Sequence, residues 1–194
     1  MNDHDKATKE EAEAAVITLL RYLGEDPDRD GLLDTPARVV KALKEMTVGY
    51  SQKPKEILSK QFKASYDEMV IVRGIEFWSM CEHHMLPFHG KAVVCYIPDP
   101  EIGKVVGLSK LARLVHCFGR RLQIQEQMTQ QIATAINENL KPRGVGVILE
   151  AKHLCMCARG VSSPSTMVTS CVLGVLRDKP EARAEFLQLA MNRG

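Results

Sequence analysis

Long apolar runs and an excess of charge of one sign are both missing from this chain of 194 residues. No stretch of about 18 apolar residues occurs, and the polar, acidic residues 1–6 do not resemble the apolar core of a signal peptide. The formal net charge is only +2, and aromatic residues make up 5% of the chain. We therefore expect a cytoplasmic protein that binds neither a membrane nor a nucleic acid.

The cysteines do not have the spacing of a disulfide framework or of a standard zinc finger, which would pair two Cys-x-x-Cys units. Three of the six occur singly inside apolar segments, where cysteine usually serves as a small buried residue: Cys95, Cys117 and Cys171. The others lie close to histidines. We expect all six to be thiols or metal ligands.

Helical patterns dominate the first third of the chain. Thr8 and Glu11 form a capping box before an apolar, helix-spaced segment that ends at Gly24. A second helix is predicted from Thr35, as N-cap, to about residue 49, and a short third helix at 54–59. We assign residues 1–60 to an N-terminal helical segment and residues 61–194 to a second domain.

The second domain alternates between extended and helical periods, which indicates an α+β fold. Residues 70–80 and 91–97 predict a β-hairpin with its turn at 81–90. Two helices follow, from Ser109 as N-cap and over residues 123–140. Residues 145–158 and 165–176 predict a second hairpin, and the last helix begins at residue 180. The order is ββααββ, preceded and followed by helices.

Two clusters within this pattern have metal-binding chemistry. Cys81 is followed by His83 and His84, and strand alternation predicts that His153, Cys155, Cys157 and Arg159 share one face of the late strand. Two such clusters can meet in one antiparallel sheet. Together they could supply the three protein ligands of a catalytic zinc site, which keeps a fourth position open. Spacing alone does not decide whether His83 or His84 would bind the metal. Buried thiols and a hydrogen-bonded histidine, without any metal, would explain the same residues.

Basic residues also recur on predicted polar helix faces. Singly, each is most simply a solvated charge, but together they could bind a polyphosphate, with Ser109 contributing a hydroxyl at a helix N-terminus. The set is Arg38 with Lys41, Lys110 with Arg113, and Arg159. Glu126, early in its helix, acquires no role from spacing alone.

Four segments in register carry a specific family resemblance. They are Ser79-Met80-Cys81-Glu82-His83-His84, Gly107-Leu108-Ser109-Lys110-Leu111-Ala112-Arg113, the run from Gln125 to Ile132, and His153-Leu154-Cys155 with Ala158-Arg159-Gly160. In this order, from about Thr35 to the C-terminal helix, the sequence resembles GTP cyclohydrolase I.

The resemblance implies a role for each matching residue. Cys81, His84 and Cys155 would bind one Zn²⁺ per subunit, while His83 and His153 would transfer protons, and Ser109 would assist in later steps. Glu126 would accept hydrogen bonds from the guanine base. The triphosphate would be bound by the basic set, with Ser109 near the ribose and phosphates: Arg38, Lys41, Lys110, Arg113 and Arg159.

The implied reaction is the zinc-dependent hydrolytic opening of the guanine imidazole ring of GTP. Water and GTP would be the substrates, formate would be released, and rearrangement of the ribose would give 7,8-dihydroneopterin triphosphate. The implied architecture is the tunnelling fold, a four-stranded antiparallel sheet with helices on one face. Its copies form a barrel, typically a decamer of two pentamers with active sites between subunits.

One position departs from the family pattern, since bacterial relatives often have lysine where this chain has Cys157. Its thiol could compete as a ligand or oxidise with Cys155 once zinc is lost. Two other hypotheses use the same residues. A non-catalytic zinc-stabilised binding module would use Cys157 to close a four-ligand site. A relative with other pterin or deazapurine chemistry is disfavoured by the complete Cys81, His84 and Cys155 set.

Overall fold

A computed structural model describes residues 7–191 and divides the chain into two compact units, with the boundary between Thr47 and Val48. The first unit contains helix α1, Lys9–Tyr22, and helix α2, Thr35–Met46. The capping box of α1 is present, with the Thr8 hydroxyl accepting from the backbone of Glu11. The N-cap position of helix α2 is Asp34, one residue earlier than predicted, and the helix ends three residues before Gly49.

The second unit is built on one mixed sheet. Its main strands are β2 (Val70–Cys81), β3 (Pro87–Ile97), β6 (Gly144–His153) and β7 (Thr166–Gly174), all paired antiparallel. A two-residue strand β5, Leu122–Gln123, adds a parallel edge beside the end of β2. The sheet order is therefore β5-β2-β3-β6-β7, which is the predicted α+β pattern with one short strand added.

Helices α4 (Leu108–Gly119) and α5 (Gln125–Leu140) lie between the two hairpins in sequence and cover one face of this sheet. Every residue predicted to face inward from α4 is buried: Leu111, Leu114, Val115 and Phe118. The N-cap of α4 is Gly107 and not Ser109, because the helix begins one residue before the serine.

Helices cover both faces, which corrects the expectation that they cover only one. The C-terminal helix α8, Pro180–Met191, inserts Phe186 into a second apolar cluster with Cys95, Ile97 and Leu176. The strands supply apolar side chains to both faces because Cys95 and Ile97 alternate with Val94 and Tyr96, which belong to the main core. A short helix α7, Val175–Asp178, connects β7 to α8.

Two further small elements complete the unit. Helix α3 is Pro54–Ile57, close to its predicted position, and follows a 3₁₀ turn at Val48–Ser51. Strand β1, Gln61–Lys63, which the sequence pattern did not predict, pairs with β4, Lys104–Val106, in a separate two-stranded sheet. Within residues 7–191, no helix combines the length and the apolar character that crossing a membrane requires.

The late strand is shorter than predicted. Strand β6 ends at His153, and the chain then makes a single helical turn, α6, Leu154–Cys157. The early hairpin also turns more tightly than expected, because β3 resumes at Pro87 and not at Lys91. Both differences fall at the residues with metal-binding chemistry and set the geometry of the site.

Candidate metal centre and active site

The early cluster lies on a tight turn that the backbone of Cys81 organises. The amide of Cys81 donates to the carbonyl of Leu86 at 2.9 Å, and its carbonyl accepts from the amides of His84 at 3.3 Å and Met85 at 2.8 Å. Met85 adopts a positive φ of 53° to close the turn. The result is a buried thiol followed by two exposed imidazoles at the end of β2.

The late cluster reaches the same place through strand pairing. The register of β3 with β6 sets Phe88 opposite His153, so the last residue of β6 lies beside the end of the early hairpin. The rings of Phe88 and His153 stack with centroids 4.5 Å apart and planes 6° from parallel. The helical turn that follows carries Cys155 towards Cys81.

Three side chains meet there with the chemistry of a zinc site. The ligand atoms of Cys81, His84 and Cys155 all lie within 4.8 Å of one another. The Sγ of Cys81 is 3.7 Å from the Nδ1 of His84. Tetrahedral zinc with ordinary Zn–S and Zn–N bonds separates such atoms by about 3.6 Å, so the donor set fits this ion.

Electrostatics at the cluster also favour a cation. Burial raises the pKa of the Cys155 thiol, the neighbouring Cys81 raises it further, and Arg159 acts in the opposite direction. The Cys155 thiol therefore resists ionisation, whereas a bound metal ion would stabilise its thiolate.

Cys157 is not part of this group, and here the prediction of one shared strand face was wrong. Residues 155 and 157 lie in the helical turn, where two positions along the chain correspond to a rotation of about 200°. Arg159 follows the turn and not a strand. A four-ligand site closed by Cys157 therefore has no geometric support.

His83 lies beside the cluster but outside it. Its Nδ1 is 3.9 Å from the Sγ of Cys81, and its ring is nearly perpendicular to that of His84, with centroids 6.3 Å apart. The side chain is exposed and next to the three residues of the cluster. Its proposed role in proton transfer stays a prediction.

His153 is held by a residue that the sequence reasoning did not single out. Its Nε2 lies 2.7 Å from the Oε1 of Gln125, the first residue of α5. Burial lowers the pKa of His153, and the nearby charge of Glu126 partly offsets that effect. The burial of Gln125, which is only 1% exposed, is the signal that marks it as a functional residue. Burial cannot be deduced from the amino-acid sequence at this position.

Two charged residues from the predicted set also belong to this end of the sheet. Glu126 is exposed in the first turn of α5, close enough to influence His153. The Nη1 of Arg159 donates to the carbonyl of Cys155 at 3.2 Å and lies 3.4 Å from the Nε2 of His84. A carboxylate and a guanidinium thus flank the cluster.

Three other predicted residues lie in the first half of α4, on the side away from the cluster. Helix α4 begins near Tyr96, whose hydroxyl accepts from the amide of Val106 at 3.1 Å, and ends where Gly119 approaches the carbonyl of Trp78. Ser109 is therefore about 15 Å from Gly119 along the helix axis. One copy of the chain does not bring this group to the cysteine and histidine cluster: Ser109, Lys110 and Arg113.

The remaining two basic residues belong to the N-terminal unit. Arg38 forms an ion pair with Asp34 at 2.8 Å, and Lys41 lies 4.0 Å from Glu45. All four side chains are largely exposed, so each pair contributes little to stability. Both basic groups remain accessible to an anion.

Comparison with known proteins agrees with the site. The family model for GTP cyclohydrolase I matches residues 12–191. A protein named GTP cyclohydrolase 1 from Chlorobium chlorochromatii is 54% identical, over 97% of this chain and 86% of its own. One of the same name from Thermobifida fusca is 51% identical, over 93% of this chain and 87% of its own.

Among solved structures, the archaeosine synthase QueF-Like in its apo form matches 56% of this chain and 95% of its own, with 16% identity. Its TM-score of 0.42 is too low to establish a shared fold. The family model and the two relatives cover nearly the whole chain, including both halves of the cysteine and histidine cluster. The chain therefore belongs to the GTP cyclohydrolase I family.

Proposed function

We propose that this protein opens the imidazole ring of GTP by hydrolysis, releases formate and forms 7,8-dihydroneopterin triphosphate. The observation that carries the proposal is the meeting of Cys81, His84 and Cys155 beside His153, in a chain of this family. Relatives that share more than half of its residues have the name of that enzyme.

Cys81, His84 and Cys155 would hold one Zn²⁺ per subunit. When bound, zinc acts as a Lewis acid and makes water nucleophilic near neutral pH. The three protein ligands match the donor number of catalytic zinc, which keeps a fourth position for a non-protein ligand. If His84 held the ion through Nδ1, its ring would carry a hydrogen on Nε2 and could not accept a hydrogen bond from Arg159 there. The guanidinium of Arg159 would then be available to an anion.

The chemistry assigned to the protein is proton transfer. Water adds to C8 of the purine, a proton is delivered to the ring nitrogen, and the carbon–nitrogen bond breaks. A second hydrolysis releases formate. His83 and His153 are the residues that would move these protons, because imidazole exchanges protons near neutral pH. Ser109 and a histidine would assist the later opening of the ribose, its Amadori-type rearrangement and the ring closure.

Substrate recognition would divide between base and phosphates. The Glu126 carboxylate is an acceptor only, which suits the adjacent N–H and amino donors of guanine. The triphosphate would be bound by basic groups, assisted by the hydroxyl of Ser109: Arg38, Lys41, Lys110, Arg113 and Arg159.

We further propose that the tunnelling fold assembles through its sheet edges into a barrel, and that the active enzyme is a decamer of two pentamers. Two observations support this proposal. Within the described chain, β7 has no strand beyond it, and β2 is paired on its outer side only at Met80 and Cys81. The group around Ser109 is also distant from the cysteine and histidine cluster within one copy, so an active site would need two copies.

The test is to incubate zinc-loaded protein with GTP and to measure formate and a fluorescent pterin. We expect both products from the wild-type protein. Cys155→Ala should lose zinc and activity together, whereas His83→Ala should keep zinc and lose formate release. Absence of both products at full metal occupancy, or undiminished formate release by His83→Ala, would overturn the proposal.

A further inference from the structure

Gln125 is at the centre of a buried polar network that ends at His153. Its side-chain Nε2 lies 3.1 Å from each of three oxygens: the carbonyls of Leu149 and Met167 and the hydroxyl of Thr169. The Oε1 on the other side of the same amide lies 2.7 Å from the Nε2 of His153. The network therefore connects α5, both strands of the late hairpin and one candidate catalytic residue.

The direction of each hydrogen bond in this network is fixed. Thr129 donates its only hydroxyl proton to the carbonyl of Gln125 at 2.7 Å. The hydroxyl of Thr169, 2.7 Å from that of Thr129, must therefore donate to it. Thr169 then has only acceptor capacity for Gln125, and the two carbonyls are acceptors by nature.

All three groups around the Gln125 nitrogen are acceptors, so the amide has one possible orientation. A flipped amide would set Oε1 against two carbonyl oxygens in a buried site, where acceptor would face acceptor with no hydrogen between them. The Oε1 consequently faces His153, and an oxygen without a proton can only accept. The hydrogen between the two side chains must belong to the Nε2 of His153.

We propose that Gln125 is a positioning residue that accepts a hydrogen bond from the Nε2–H of His153 and so fixes the tautomer and the orientation of this ring, leaving Nδ1 as the free ring nitrogen. This inference rests on the proposed function, which gives His153 a proton to transfer. In residues 7–191, Nδ1 has no hydrogen-bond partner, and stacking on Phe88 fixes the plane of the ring.

The first test is Gln125→Met, which keeps the length of the side chain but removes the acceptor. We expect kcat to fall by about 10- to 100-fold with little change in KM, as for other residues that orient a reacting group. The matched control is Thr169→Val, which removes a hydrogen bond from the same network while Leu149 and Met167 still orient the amide. It should lower the melting temperature but keep kcat within about threefold of wild type.

A second test separates positioning from general damage. In a His153→Ala background, Gln125→Met should cause no further loss of kcat, because two residues that act through one group are not additive. An equal loss of kcat in both backgrounds, or equal losses for Gln125→Met and Thr169→Val, would overturn the proposal. Failure of wild-type protein to release formate would instead count against the proposed function.

A third measurement does not depend on activity. Nitrogen NMR of zinc-loaded wild-type protein labelled in histidine, compared with His153→Gln, identifies which ring nitrogen of residue 153 carries the proton. We expect the neutral ring to carry its hydrogen on Nε2 and none on Nδ1. The opposite tautomer would refute the assignment.

Discussion

Single residues decide how closely the C-terminal helix can approach the sheet. A Cβ added at Gly146 would lie 2.7 Å from the ring of Phe186, closer than real Cβ contacts allow. Phe186 is fully buried and is the only fully buried residue of α8 in the described chain. The missing side chain of Gly146 is therefore what lets this ring cover the second face of the sheet.

Gly146→Ala should lower the free energy of unfolding by about 1–3 kcal/mol, because the ring must move and nearby backbone must follow. Thermal and urea unfolding measure this change. Phe186→Leu in the same chain should recover part of the loss, since a smaller side chain makes room for the new methyl group. Additive losses in the double variant would show that contact with Phe186 is not the cause.

The thiol of Cys95 is 0% exposed, and its burial should make the folded protein less stable at alkaline pH. Burial raises its pKa to about 12, well above the usual range of a cysteine thiol. A raised folded pKa means that stability is fully present below pH 9 and is lost as pH rises towards 12. Between pH 8 and 10.5, the free energy of unfolding should therefore fall more steeply for wild type than for Cys95→Ala. Equal slopes would contradict the prediction.

The residue scale also shows what the letters can and cannot predict. Cys81 and Cys155 stand out by chemistry alone, but the choice between His83 and His84 required the family resemblance. Gln125 was missed because its contact with His153 joins positions 28 apart through tertiary packing. No local pattern encodes such a contact.

At the scale of elements, the site depends on two abrupt changes of backbone direction. One is the turn that Met85 closes in a left-handed conformation, which costs a non-glycine residue roughly 1–2 kcal/mol. The other is the change from strand to helix after His153. The alternation of residue types along the sequence continues through residue 157. Periodicity alone could therefore not distinguish a longer strand from one helical turn.

A β-branched residue at position 85 should weaken metal binding. Met85→Val adds to the strain of the left-handed turn and should lower zinc affinity about tenfold, whereas Met85→Gly, which removes the strain, should retain it. Competition with a metal indicator measures both affinities. Equal affinities for the two variants would show that the turn conformation does not control the site.

At the scale of the whole molecule, most of the proposed site residues fall into two groups at opposite ends of one sheet. Residue patterns could place Ser109 and Lys110 on a helix and Cys81 on a strand, because those periods are local. They could not measure the distance between them, which depends on how α4 lies across the sheet.

Mixed assemblies test whether two copies complete one site. Lys110→Glu and Cys155→Ala should each be inactive alone, yet co-expression in equal amounts should restore about a quarter of wild-type activity if subunits mix at random. Formate release by the purified mixture measures this recovery. The matched control combines Cys155→Ala with His83→Ala, which damage the same end and should restore none. Recovery in neither mixture would place each site within one copy.

The position of Ser109 far from the cysteine and histidine cluster has a further consequence for how the enzyme would behave on dilution. A site completed by a neighbour makes specific activity depend on protein concentration, because dissociated subunits are folded but catalytically incomplete. Activity per milligram should then decline below the dissociation constant of the assembly and recover on concentration. The amount of chain in the cell would itself act as a control on the rate.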